Sequence, residues 1–135
     1  DLMRGHMVHL LAQYAEEDLG DDPAAMLDAF TRFHIRYHLE QPDGVFVAYM
    51  ELRNLSDENF ATVVALRKQY ETHLEDILKA GRAAGVFQVT DTKVATMALI
   101  AMLTGITSWY RDGGRLDRRA IEEIYVEMAR KAVTG

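Results

Sequence analysis

A handful of side chains in this sequence carry chemistry that does not match their neighbours. Arg67 falls in the middle of an apolar helical stripe, between Phe60, Val63 and Leu74 at about 100° per residue. A guanidinium in such a place needs a carboxylate or an anionic ligand. Glu71, one turn further on, offers an internal partner. Arg53 poses the same choice, a ligand carboxylate or phosphate on one side and pairing with Glu51 or Asp57 on the other. His34 and His38 stand at i and i+4 on one face, a spacing that suits a metal pair, but no adjacent Glu or third ligand completes a site. They read more simply as histidines at the edge of a core, and no metal is assigned. Phe33, Tyr37, Tyr49, Met50, Tyr70, Met102 and Trp109 complete the candidates for lining an apolar ligand cavity, although all of these residue types are equally at home in ordinary core. Catalysis finds no support. There is no Ser-His-Asp cue, no cysteine nucleophile and no phosphate-cradling glycine loop after a strand. No catalytic residue and no cofactor is expected.

The elements that must position these residues are helices. At 135 residues the chain suits one domain with one sizeable core, and 49% hydrophobic with 27% charged residues is a globular composition. Net charge is −6, from 15 Lys plus Arg against 21 Asp plus Glu, which makes the chain a poor binder of nucleic acid or anionic lipid by charge alone. The absence of cysteine excludes disulfides and thiolate metal sites and fits a reducing compartment, so a cytoplasmic location is expected. No basic-then-apolar signal segment opens the chain. It starts without an initiator Met and already in a helical pattern, so it is expected to begin inside a longer protein.

Two prolines, Pro23 and Pro42, and the absence of β-branched alternation divide the chain into about six helices, an all-α bundle. The first, from about 2 to 18, places Met3, Met7, Leu10, Leu11 and Tyr14 on one face. The second starts with Asp22 as N-cap and Pro23 at its first position and carries Met26, Leu27, Phe30, Phe33 and Tyr37 on one stripe. A short apolar helix follows from Val45 to about Asn54. Ser56 or Asp57 then caps the longest helix, with Phe60, Val63, Val64, Tyr70, Leu74, Ile77 and Leu78 as its inner stripe. Gly81 and Gly85 loosen and stop it.

From Val94 to Tyr110 the chain carries no formal charge, a run of 17 residues between an Asp91 start and a Gly113-Gly114 stop. That is short of the roughly 18 to 20 needed to cross a bilayer, and it contains three Thr, a Ser and a Gly, so no membrane span is assigned. In the last helix, capped by Asp117, Ile121, Ile124, Tyr125, Met128 and Ala132 form one stripe, which Val126, Ala129 and Val133 widen to about 200°. A surface helix packed on its own core needs only about 100°. Both helices are therefore expected to pack on their own core with one side and on a second copy with the other, a four-helix C2 interface containing Ala98, Gly105, Ile121, Tyr125 and Met128.

Trp109-Tyr110-Arg111-Asp112-Gly113-Gly114-Arg115-Leu116, placed between these two helices, resembles the W-Y-R-x-G-G-x-L turn of one branch of the TetR family of transcriptional regulators. Glu51-Leu52-Arg53-Asn54-Leu55 is similar to that branch's E-L-R-x-L segment, and Gly81 to Phe87 to its G-x-x-x-G-x-F turn. The resemblance covers nearly the whole chain. It implies that residues 1–135 form an effector-binding and dimerisation domain, with Asp1-Leu2 as the tail of the join to an N-terminal helix-turn-helix that this sequence does not contain. It further implies a homodimer whose partners are a small-molecule effector, with an acyl-CoA or another lipid-like or aromatic acid favoured, and DNA only through that missing domain. Effector binding would tilt the first helix here and change the spacing of two reading heads that must match half-sites roughly 34 to 36 Å apart. The outcome would be derepression. The alternative reading is a helical dimerisation module with a filled core and no ligand.

Overall fold

The computed structural model of the chain describes residues 2–40 and 56–134. Among them the elements are α1 (Leu2–Ala15), α2 (Pro23–Glu40), α3 (Asp57–Ala83), α4 (Thr92–Thr104), a 3-10 turn (Gly105–Ser108) and α5 (Arg118–Thr134). The expected all-helical class is observed, with five of the expected six helices. The sixth, from Val45 to about Asn54, lies outside the described residues, and so do the candidates Tyr49, Met50 and Arg53. No described helix is long and apolar enough to cross a membrane.

Helix starts follow the side chains expected to cap them. The Asp22 carboxylate accepts the Ala25 N–H at 3.2 Å, Ser56 Oγ that of Asn59 at 3.2 Å, Asp91 that of Val94 at 2.9 Å and Asp117 that of Ala120 at 2.8 Å. Each satisfies a donor that the helix geometry leaves free. The end of α3 is set by Gly85, whose φ of 77° lets the Val86 and Phe87 N–H groups turn back onto the Gly81 carbonyl, at 3.0 Å each. That turn lays the buried Phe87 ring directly over Gly81.

Helix α2 is the hub of the bundle and touches α3, α4, the 3-10 turn and α5. Its Leu27, Phe30, Ile35 and His34 are almost completely inaccessible, which fits a helix covered on several sides. The α1 face of Met3, Met7, Leu10 and Tyr14 closes over α2 and α3, where Tyr14 meets Phe30, Phe33 and Tyr70 edge-on at ring separations of 5.2 to 5.9 Å. On the opposite side α5 is clasped to α2 by charge. The buried Glu122 receives bonds from Arg36 at 2.6 and 2.9 Å and from Arg32 at 2.9 Å, and Arg130 reaches Asp28 at 2.7 Å.

Two expectations change. Phe60 and Val64, expected on the inner stripe of α3, are exposed, at 47% and 42%, because only Val63 in that first part of the helix turns inward. The charge-free run is not one helix to Tyr110. It is helical to Thr104, tightens into the 3-10 turn and opens before Trp109. The single chain leaves one face of this helix uncovered, with Val94 63% and Met97 45% accessible, as the expected two-sided packing requires.

Two substitutions test this packing. A Cβ at Gly81 would lie 1.9 Å from the Phe87 ring, so Gly81→Ala should lower stability by roughly 1–3 kcal/mol in urea denaturation. Tyr14 Oη is the one buried side-chain polar atom without a hydrogen-bond partner among the described residues, and burial pushes its pKa up to about 12. Tyr14→Phe removes an unmet donor and keeps the ring contacts, so it should leave stability unchanged or raise it by about 1 kcal/mol in the same assay.

Candidate functional site

A cavity of about 60 Å³ sits where α1, α2, α3 and α4 converge. Met3, Met7, Leu10 and Ile100 give it apolar walls, and His6, His34, His38, Arg67, Tyr70, Glu71 and Thr104 give it polar ones. Two sequence candidates, Arg67 and Tyr70, are there. Phe33 and Tyr37 are not on its wall: Phe33 packs in the aromatic core and Tyr37 bonds His9 at 2.6 Å. Met102 is half-buried against the core, and Trp109, 52% exposed, lies at the far end of α4 on the outer surface.

The polar wall is organised around the α2 histidines, which the i, i+4 pattern found but read as a core edge. His34 is 1% exposed and uses both ring nitrogens, Nδ1 to the Tyr70 hydroxyl at 2.6 Å and Nε2 to Thr104 Oγ1 at 2.8 Å. The three residues tie α2, α3 and α4 together. His38 stacks on His34 with ring centroids 4.0 Å apart, and its Nδ1–H donates to the His34 carbonyl at 2.8 Å, which leaves Nε2 as an acceptor. His6 of α1 meets His38 edge-on at 5.9 Å. No group of three or more metal-ligating side chains occurs among the described residues.

Arg67 behaves differently from its internal-pairing alternative. It lies within no ion-pair distance of Glu71 and has no other carboxylate partner among the described residues. Among the described residues, therefore, no carboxylate pairs with this guanidinium beside the cavity. Sequence reasoning missed His6, Thr104 and the α1 methionines as wall residues, because only the crossing of four helices brings them together.

Burial holds all three cavity histidines toward the neutral form. It lowers His6 and pushes His34 well below its usual range, while His38 is pushed down to about 4, chiefly by burial and against the opposing hydrogen bond to the His34 carbonyl. An unfolded histidine titrates near 6.5, so between pH 6.5 and 4 the unfolded chain binds more protons than the folded one. The contribution is complete above pH 6.5 and is lost as pH falls. His38 alone should cost about 3 kcal/mol by pH 4. Urea denaturation at pH 7 and pH 4.5 should show most of that loss, and His38→Gln should reduce the difference between the two.

A second surface lies on the far side of α4 and α5. Val94, Met97, Trp109, Ile124 and Met128 are large, apolar and exposed, with Ala98, Ala101 and Gly105 between them on α4 and the turn that follows it. Near its end a groove of about 480 Å³ is lined by Trp109, Tyr110, Leu116, Ile124, Tyr125 and Met128, flanked by Arg111 and Arg115. Of the residues expected at a subunit interface, Ala98, Gly105 and Met128 are exposed on this face and Tyr125 is half-buried beside it. Ile121 lines the same groove while packing into the chain's own core, with Val126, Ala129 and Val133 on the inward side of α5.

Comparison with known proteins agrees with this architecture. The family model for the tetracycline-repressor-like C-terminal domain matches residues 20–133, and the chain belongs to that family, the regulatory part of TetR-family transcriptional regulators. Among solved structures, a regulatory protein of the TetR family from Rhodococcus RHA1 superposes with a TM-score of 0.85 at 26% identity, over 98% of this chain and 70% of that one. The TetR-family regulator PfmR from Thermus thermophilus gives 0.78 at 27% identity, over 96% and 70%. AibR, whose structure was determined with isovaleryl coenzyme A and operator DNA, shares the fold at 23% identity with a TM-score of 0.78, over 93% and 71%. No curated protein matches the chain in sequence.

Proposed function

We propose that this chain is the effector-sensing and dimerisation domain of a cytoplasmic bacterial repressor, and that its effector is an acid with an apolar body, such as an acyl-CoA or a related lipid-like or aromatic acid. The observation that carries this reading is Arg67, without a carboxylate partner among the described residues, beside a cavity whose apolar walls are Met3, Met7, Leu10 and Ile100. A half-buried cation favours an anionic group, and the methionines and leucine accept an alkyl chain. Three of these apolar residues belong to α1, so a ligand that enlarges the cavity must displace α1. In a repressor α1 joins the sensing domain to the helix-turn-helix, and its displacement re-spaces the reading heads. The ligand need only bind one spacing better than the other.

The exposed apolar face of α4 and α5 supports the second half of the reading. Monomeric proteins seldom leave such a surface open, and two copies packed through it would form a four-helix interface. Light scattering at micromolar concentration should give a dimer mass for the wild type. Ala98→Glu and Gly105→Glu each place a charge on this face and should give a monomer mass, and a dimer retained by both would show that the copies meet elsewhere.

One observation favours the alternative. A cavity of about 60 Å³ is well below the roughly 300 Å³ of typical ligand sites, as a filled dimerisation module would have. Thermal shift and native mass spectrometry against a panel of acyl-CoAs and their parent acids separate the two. A sensor should be stabilised by at least one of them and should lose most of that stabilisation in Arg67→Gln. No shift with any member of the panel would favour the filled module.

A further inference from the structure

We infer that the Tyr70–His34–Thr104 chain reads the cavity's occupant, switching the imidazole proton of His34 from Nε2 to Nδ1 when a ligand oxygen accepts a hydrogen bond from Tyr70. The inference rests on the sensing role proposed above and adds to it a class of ligand group, a carboxylate or carbonyl oxygen, and a route from that group to α4.

The argument is one of hydrogen-bond arithmetic. A neutral imidazole has one N–H and one lone pair, and His34, buried and held neutral, bonds a hydroxyl at each end. Each hydroxyl can donate or accept. If Nε2 carries the proton, it donates to Thr104 Oγ1 and Tyr70 donates to Nδ1, so the unspent hydroxyl proton is on Thr104. If Nδ1 carries it, it donates to Tyr70 Oη and Thr104 donates to Nε2, so the unspent proton is on Tyr70. One hydroxyl proton is therefore always left over, and the tautomer decides at which end.

Exposure decides which end is preferred when no ligand is bound. Tyr70 is 3% accessible and has no other hydrogen-bond partner among the described residues, so a spare Tyr70 proton would be stranded. Thr104 is half-buried and can give its spare proton to water. The empty protein should hold the Nε2–H form. All three residues line the cavity, so an acceptor oxygen placed against Tyr70 removes the penalty on the other form. Protons balance in the exchange. Tyr70 passes its proton to Nδ1 and takes one from water that enters with the ligand, while Nε2 passes its proton to Thr104, which returns one to solvent.

The far end of the relay is well placed to matter. Thr104 is the last residue of α4, its carbonyl accepts the Thr107 hydroxyl at 2.8 Å, and the 3-10 turn of Gly105–Ser108 follows at once. Gly105 and Trp109 on that stretch are exposed on the apolar outer face. A change at Tyr70 thus reorients a hydroxyl at the point where α4 tightens.

Imidazole 15N NMR on the full chain distinguishes the two tautomers of His34 directly. The probes are butyrate, which only accepts hydrogen bonds, and butylammonium, which only donates them, with binding followed independently by saturation transfer. The ligand-free wild type should show Nε2–H, and saturating butyrate should shift the tautomer ratio toward Nδ1–H by about tenfold or more, the worth of one buried hydrogen bond. Butylammonium should not. Ligand-free Tyr70→Phe should keep Nε2–H, since Thr104 Oγ1 still accepts from Nε2, and butyrate should no longer shift the ratio in that variant. Butyrate binding with His34 unchanged would overturn the relay and leave acid sensing intact. An absence of butyrate binding would count against acid sensing itself, and the relay would then stand or fall on the ligand-free tautomer: Nδ1–H in the ligand-free wild type overturns it.

Discussion

A buried imidazole can be tolerated at the centre of a helical bundle only if both of its nitrogens are satisfied, and much of this structure follows from meeting that condition at His34. Its partners come from two other helices, Tyr70 on α3 and Thr104 on α4, so the hydrogen bonds that satisfy it also fix how those helices sit on α2. An apolar residue at the same position would fill the space without setting the register. The stacked His38, tied to the His34 carbonyl, extends the same polar seam along α2 toward His6 of α1. Polar groups that cost free energy to bury are thereby arranged around a cavity, where a ligand can exploit them.

The two faces of the bundle divide the work. On one side α1 closes the cavity and supplies most of its apolar wall, yet the strongest charged contacts lie on the other side, where Glu122, Arg32, Arg36 and Arg130 join α2 to α5. Their ion pairs are partly solvated and contribute modestly to stability. They make α2 and α5 the firmer pair. Apolar and aromatic packing makes up much of what holds α1 to the bundle, and the His9–Tyr37 bond adds a polar contact. Packing of this kind accepts small displacements more readily than a network of directed bonds does, which suits the displacement of α1 proposed above.

Much of the fold was legible in local signals. Asp22, Ser56, Asp91 and Asp117 cap the helices they were expected to cap, and Gly85 ends α3, because capping depends on a side chain and the backbone within three or four residues of it. The excess of apolar surface on the last two helices was legible for a similar reason, since an arc wider than one core requires is a property of the helix alone. What local reasoning could not settle was which half of a wide arc turns inward. Ile121 went to the core and Ile124 to the surface, and Phe60 and Val64 are exposed where a continuous inner stripe was expected.

By itself, then, the amino-acid sequence determined the helical class, the helix starts and stops and the anomaly of Arg67 on an apolar stripe, all of which depend on neighbours within a turn or two along the chain, and it carried the family resemblance in the order of its motifs. The tertiary structure decided the site. It alone brought His6, His34, Tyr70 and Thr104 to one cavity, left Glu71 out of ion-pair reach of Arg67, and sent Trp109 to the outer surface. The physical reason is that a cavity wall is made where helices cross, and the crossing of α1, α2, α3 and α4 joins residues nearly a hundred positions apart whose spacing along the chain carries no trace of their contact.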